Sequence, residues 1–419
     1  MKRAAIVMSL GAILIFPGLP FQGCTQPAQK PGTAGIAKIE IGHVDSIASD
    51  ILKETRPIWV YTPSFDTTTF SRPAYPVLYL LDGDGHFSSV MGMVQQLSAV
   101  NGNIVLPQMI IVGIPNTRNN RSRDLTPTSS PGVPLFGGGE KFTEFLEKEL
   151  IPYIDKKYAT APYRVFVGHS LGGLMVINAL INHGSLFSAY LAIDPSMWFD
   201  DENLLGKAGS VLRQKDLKGK TLYLGIANTM NPGMDTSQVR KDTTNGTHHI
   251  RAILKLADKL RAYPGNHLRW DYKYYANDDH SSVPLIAGYD GLRFIFKSNS
   301  LSKNFYSDRA ITVDSLKRRI IAHYDLLSQE RGYPVRPSEQ FINQTGYNAL
   351  TAKEFGRAEM FFQLNIGYFP ESFNVYDSMG DYYIARSEKA KAIESLTKAL
   401  SIRNAPDTRR KLEELTAGK

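Results

Sequence analysis

The sequence has one cysteine, Cys24, among 419 residues. No disulfide can form within the chain, so a packed core must hold it together. It has no long run of lysine or arginine, although its net charge is +8. A basic balance spread thinly over the surface does not predict a nucleic-acid partner. Beyond the first residues, no apolar segment reaches the ~20 residues of a membrane helix. What remains is ordinary: 42% apolar and 21% charged residues, in a chain long enough for two domains and a tail.

The first residues read as a leader rather than as fold. Lys2 and Arg3 precede an apolar stretch from Ala4 to Leu19, and Gly23 stands before Cys24. This is the pattern of a secretory signal peptide, here residues 1–23. A lone cysteine at that point resembles the lipid-modified cysteine of bacterial lipoproteins, although Phe21 stands where that motif prefers leucine. Residues 24–35, rich in Gln, Pro and Gly, are expected to form a flexible tether. The expected location is the bacterial cell envelope, beyond the inner membrane and anchored through a lipid on Cys24.

The centre of the chain is RVFVGHSLGGLMV, Arg164 to Val176. An apolar, β-branched run leads into Gly168-His169-Ser170-Leu171-Gly172, and a helical run follows. Strand, G-x-S-x-G and helix together make the nucleophile elbow of the α/β-hydrolases. A serine there stands clear of the sheet at a helix N-terminus, and the Leu171 N–H can face an oxyanion. His169 is read as the variable residue of the motif, with no catalytic role.

Strands are expected near Ala37–Val44 and Arg56–Tyr61, and at Tyr75–Asp82, whose continuous apolar run suits a strand buried on both faces. The glycine-rich turn after it, Gly83-Asp84-Gly85, is placed to supply a second oxyanion N–H from Asp84. Helices are expected at Phe87–Leu97 and Glu140–Tyr158, and a further strand at Gln108–Ile114. A loop from Pro115 to Pro134 carries Arg118, Arg121, Arg123 and Asp124. Arg123 is a weak candidate for gripping an anionic substrate, set against simple surface charge. After the strand Ala189–Asp194, Trp198 is a second weak candidate, as a wall of the acyl pocket or as core. A strand at Thr221–Asn228, a long loop at Thr229–Gly246 and a helix at His248–Tyr263 follow. The last strand, His267–Tyr275, runs into Asn277-Asp278-Asp279-His280, where His280 is the candidate general base. The acid must then lie between Ser170 and His280 in the chain. Asn228 at the strand end cannot ionise. Asp242 is preferred, Asp235 is close behind, and a Ser170–His280 dyad without an acid stays open.

YPVLYLLDGDGHF, IIVGIPNT with RSRDLTP, GHSLGG, AIDPSMWFD and NDDHSSVP occur in that order. Together they resemble the esterase family of the α/β-hydrolase superfamily that includes enterochelin-type siderophore esterases, feruloyl and acetyl carbohydrate esterases, S-formylglutathione hydrolase and mycolyltransferases. The resemblance covers about residues 36–298. It implies a serine carboxylesterase acting on a small-molecule ester without metal or cofactor. It also implies Ser170 as nucleophile, His280 as base, and the amides of Leu171 and Asp84 as oxyanion hole. Many relatives carry an acid near the position of Asn228, where this chain departs.

The expected fold is therefore α/β: a mostly parallel hydrolase sheet at residues 36–300, with helices on both faces. A helical linker at 301–335 and a small all-α domain at 336–419 complete it. In that domain Gly346 matches Gly380, Ala358 matches Ala392, and Phe362 matches Leu396 at a 34-residue period. This resembles tetratricopeptide repeats, which offer a surface to a protein partner or brace the neighbouring domain. Two other functions remain in view: acyl transfer to an alcohol, and a non-catalytic scaffold using the repeats. The leader yields the first prediction. Cys24→Ser is expected to move the protein from the membrane fraction to the soluble one, and an unchanged fractionation would refute lipid attachment.

Overall fold

The computed structural model describes residues 39–117, 120–129, 135–302 and 304–417. The leader, Cys24 and the tether lie outside them. Among the described residues eight strands form one sheet: β1 His43–Ser49, β2 Glu54–Tyr61, β3 Tyr75–Leu81, β4 Ile110–Ile114, β5 Thr160–His169, β6 Ala189–Ile193, β7 Thr221–Ala227 and β8 Arg269–Tyr275. Their order is β1-β2-β4-β3-β5-β6-β7-β8. β2 runs antiparallel to β1 and β4, and every other pairing is parallel.

Every residue of β3, β4, β6 and β7 is buried. These strands are apolar throughout because helices cover both faces. Along β3, Val77, Tyr79 and Leu81 face one core and Leu78 and Leu80 the other, the two-residue period of a strand. Residues of the helices Leu171–Asn182, Phe199–Gln214 and His248–Ala262 fill the first core. Gly83–Ser98 and Val283–Ile295 fill the second.

Element boundaries depart from expectation in a few places. The first strand is His43–Ser49, later than Ala37–Val44. The helix expected from Phe87 starts at Gly83, directly after β3. The expected helix Glu140–Tyr158 is Gly139–Lys157, with a π-turn at Leu146–Leu150. Pro152 has no N–H for the Lys148 carbonyl, and a wider turn just before it absorbs the break. The expected loop Thr229–Gly246 holds a one-turn helix, Thr236–Val239.

After the sheet comes the helix Val313–Arg331 and then two helical hairpins. Glu339–Thr351 with Phe355–Tyr368 is followed, 34 residues on, by Phe373–Ala385 with Lys389–Ile402. Equivalent glycines let each pair close up. A Cβ on Gly346 would lie 2.7 Å from Phe362, and one on Gly380 would lie 2.7 Å from Leu396. Pro406–Thr416 is the last helix.

From Ile41 onward the chain is one compact unit. One tie between hairpins and sheet is a buried carboxylate. Glu339, 1% exposed, accepts bonds from the Ser71 N–H at 2.8 Å, Ser372 Oγ at 2.7 Å and Asn374 Nδ2 at 3.2 Å. Ser71 belongs to the β2–β3 loop, and Arg403 donates to Thr68 O of the same loop. Glu339→Ala would strand these donors. We expect a stability loss of about 2 kcal/mol or more, read as a lower urea midpoint. An unshifted midpoint would contradict this account of the junction.

Candidate active site

β5 delivers the chain to Ser170, whose backbone has φ 59° and ψ −118°. A non-glycine residue held there stores on the order of 1–3 kcal/mol of strain. Neighbouring bonds hold it: Ser170 N–H donates to Ile193 O at 3.0 Å, and Ser196 N–H donates to Ser170 O at 3.0 Å. The turn also needs Gly168, because a Cβ there would fall 2.3 Å from Gly172 O.

The Ser170 hydroxyl faces the imidazole of His280, with Oγ 3.1 Å from Nε2. His280 stands in the loop between β8 and the helix Val283–Ile295. On its far side Nδ1 is 2.6 Å from Asp194 Oδ2. A ring nitrogen that close to a carboxylate must carry the hydrogen. Nε2 of the neutral ring is then left to accept from serine.

The carboxylate on His280 is thus Asp194, not Asp242 or Asp235. Asp242 accepts from Thr244 Oγ1 at 2.6 Å and from Thr247 Oγ1, and so tethers the start of the helix His248–Ala262. Asp235 caps the helix Thr236–Val239, accepting from the N–H groups of Ser237 and Gln238, each at 2.8 Å. Asp279 accepts from the N–H groups of Ser281 and Ser282. All three are spent on hydrogen bonds to residues close by in sequence. Asp194 directly follows β6, where the sequence pattern predicts the last residue of that strand. The available signal is an acid at the carboxyl end of a central strand, next to the strand that carries Ser170. Asn228, one strand further along, donates to Ala276 O at 3.0 Å and clips the His280 loop to β7.

Asp194 is fully buried. Burial pushes its carboxyl up, but bonds from His249, His280 and the Ala227 N–H more than offset this and hold it well below the usual carboxylate range. The His249 bond is also direct, Nε2 to Oδ2 at 2.8 Å. Asp194, His249 and His280 could offer ligand atoms lying within 4.8 Å of one another. In this structure they are satisfied by direct hydrogen bonds on one oxygen.

The N–H groups of Leu171 and Asp84 each lie in the first turn of a helix, where no intrahelical acceptor exists. The two helices follow β3 and β5, which are parallel neighbours, so both N-termini open at one end of the sheet. Asn116 steadies the first turn by donating its N–H to Asp84 Oδ1 at 3.0 Å. Arg121 grips Asp82 at 2.6 and 2.9 Å and reaches His169 O at 3.4 Å, joining the two turns.

Arg123 is not free to grip a substrate. It pairs with Glu54 at 2.7 Å and with Asp124 at 2.7 Å, in a network that includes buried Arg56. Arg118 lies outside the described residues. Trp198 is 41% exposed and follows Ser196, whose Oγ is 3.3 Å from that of Ser170, so it stands at the edge of the site rather than in the core.

His169, beside the serine, is packed against the His280 ring with centroids 4.5 Å apart. Burial first, then the His280 and His86 rings, push it down to about 4. As pH falls from about 6.5 towards 4, the unfolded chain binds a proton that the fold refuses, so stability drops across that window. His169→Gln is expected to flatten the dependence of Tm on pH between these values. An identical slope in the variant would show that His169 is not the group responsible.

Comparison with known proteins gives the family. Residues 49–308 match the family described as "Putative esterase". An IroE-like serine hydrolase from Shewanella oneidensis is 34% identical, with a TM-score of 0.66 over 78% of this chain and 99% of that one. Ferri-bacillibactin esterase BesA of Bacillus subtilis is 26% identical over 284 residues, 63% of this chain and 92% of its own length. Apo-salmochelin esterase of Escherichia coli O6:H1 is 25% identical over 244 residues, 55% of this chain and 73% of its own. With its family match spanning well over half its length, and with this sheet order, the chain belongs to that esterase family, of the α/β-hydrolase type.

Proposed function

We propose that the protein is a serine carboxylic ester hydrolase that cleaves siderophore-type esters through an acyl-enzyme. The observation that carries this is the unbroken chain Ser170 Oγ, His280, Asp194, with contacts of 3.1 and 2.6 Å. The substrate class is drawn from relatives named as esterases of ferri-bacillibactin and apo-salmochelin.

In this reading Ser170 Oγ attacks the ester carbonyl carbon while its proton passes to His280 Nε2. The carbonyl oxygen becomes an oxyanion facing the N–H groups of Leu171 and Asp84. Asp194 holds the ring and stabilises the imidazolium. The tetrahedral centre collapses, the C–O bond to the alcohol breaks, and His280 returns its proton to the leaving oxygen. Water then repeats the sequence on the acyl-serine and releases the acid. The buried, charged Asp194 keeps the proton on His280, so it does not itself take part in the transfer. The apolar leader and Cys24 favour an enzyme of the cell envelope.

The test is hydrolysis of siderophore, carbohydrate-linked and simple esters by protein lacking residues 1–24. Ser170→Ala should abolish turnover, by on the order of 10⁶. Asp194→Asn should cost about 10⁴, and Asp242→Asn less than tenfold. Substantial turnover by Ser170→Ala would end the serine mechanism. A larger loss at Asp242 than at Asp194 would reassign the acid. Preference for another ester class would change the substrate but not the mechanism.

A further inference from the structure

A triad explains one histidine on Asp194, and the structure holds two. His249 Nε2 lies 2.8 Å from the same Oδ2 that His280 Nδ1 meets at 2.6 Å. The two rings meet edge to face, with centroids 5.1 Å apart. Asp194 Oδ1 is occupied separately, by the Ala227 N–H at 2.9 Å. His249 makes no direct bond to Ser170, so it stands one step behind the reacting atoms.

The surroundings of His249 are built to fix it. It is the second residue of the helix His248–Ala262. That helix start is tethered by the Asp242–Thr247 bond. On the other side His248 Nε2 meets Glu202 Oε1 at 3.1 Å, and Lys255 holds the same carboxylate at 2.7 Å. Glu202 lies in a left-handed turn, Asp200–Glu202, with φ of 52, 48 and 62°. Three non-glycine residues in that conformation are costly, and here the turn brings Glu202 to the helix start.

We propose that His249 is a positioning residue for the esterase reaction. By donating from Nε2 it pins Asp194 Oδ2 where His280 Nδ1–H must point, and so aligns Nε2 with the Ser170 hydroxyl. Asp194 itself has φ 41°, so its backbone does not settle into an ordinary strand-end geometry that would orient the carboxylate unaided. The inference rests on the serine-hydrolase reading above.

The experiment compares His249→Ala and His249→Gln in the full chain. Glutamine's amide nitrogen reaches about as far as Nε2 and restores the donor. We expect His249→Ala to lower kcat on the order of 10- to 100-fold with KM nearly unchanged, since misplacing a catalytic group by about 1 Å costs that much. His249→Gln should recover most of the loss. Proton NMR of histidine-labelled protein gives a readout independent of turnover: the deshielded His280 Nδ1–H signal should shift in His249→Ala and return in His249→Gln. Unchanged kcat and an unmoved signal in a folded His249→Ala variant would overturn the proposal. So would a loss that glutamine fails to restore. If the wild type hydrolyses no ester while the signal still responds to His249, the functional reading fails and the hydrogen-bond coupling stands.

Discussion

A carboxylate with no solvent exposure dominates this half of the molecule. Burying an unpaired charge is prohibitive, so Asp194 must collect donors, and it draws them from separate places in the chain. Ala227 N–H comes from the end of β7, His249 from a helix, and His280 from the loop beyond β8. None of these segments is a sequence neighbour of Asp194. The charge therefore acts as a knot across the carboxyl ends of β6, β7 and β8. The same knot sets the tautomer of His280, so the requirement for stability and the requirement for a proton acceptor beside Ser170 are met by the same bonds.

How much of this was readable beforehand follows from how local each signal is. β3 announced itself because a strand buried on both faces must be apolar at every position. Ser170 was legible because its strained turn admits only small flanking residues, which leaves a five-residue mark in the chain. His280 was legible by its place after the last strand. Asp194 left no such mark. An aspartate before a proline reads as the end of a strand, and only three-dimensional packing shows that its side chain faces His280. Asp242 and Asp235 looked better placed by chain position. Their carboxylates, however, face threonine hydroxyls and helix N–H groups close by in sequence, the competing use that short acidic side chains often find.

The basic loop after β4 shows the same limit from the other side. Charge alone suggested an anion grip, but guanidinium groups in a folded chain seek carboxylates first. Arg123 found Glu54 and Asp124, and Arg121 found Asp82. Arg121 still bears on the site, because Asp82 precedes the turn of Asp84 while His169 precedes Ser170. It ties the two helix N-termini together through these bonds.

A carboxylate at the end of β6 can reach His280 as well as one at the end of β7, for a geometric reason. Parallel neighbours in a sheet lie about 4.8 Å apart, so a side chain displaced by one strand can still reach the same imidazole. β6 ends at Ile193, paired with Gly225, while β7 runs on to Ala227, and Asp194 N–H is bonded to Gly225 O at 2.8 Å. Asn228, just past β7, holds the His280 loop: its backbone N–H donates to Asp278 O at 2.8 Å, and its amide to Ala276 O at 3.0 Å. The charge beside His280 and the bonds that hold its loop are carried by two residues, Asp194 and Asn228. Asp194 Oδ2 accepts from His280 Nδ1 at 2.6 Å and also from His249 Nε2 at 2.8 Å. A buried carboxylate oxygen has more than one lone pair to satisfy, and the second histidine supplies the second donor.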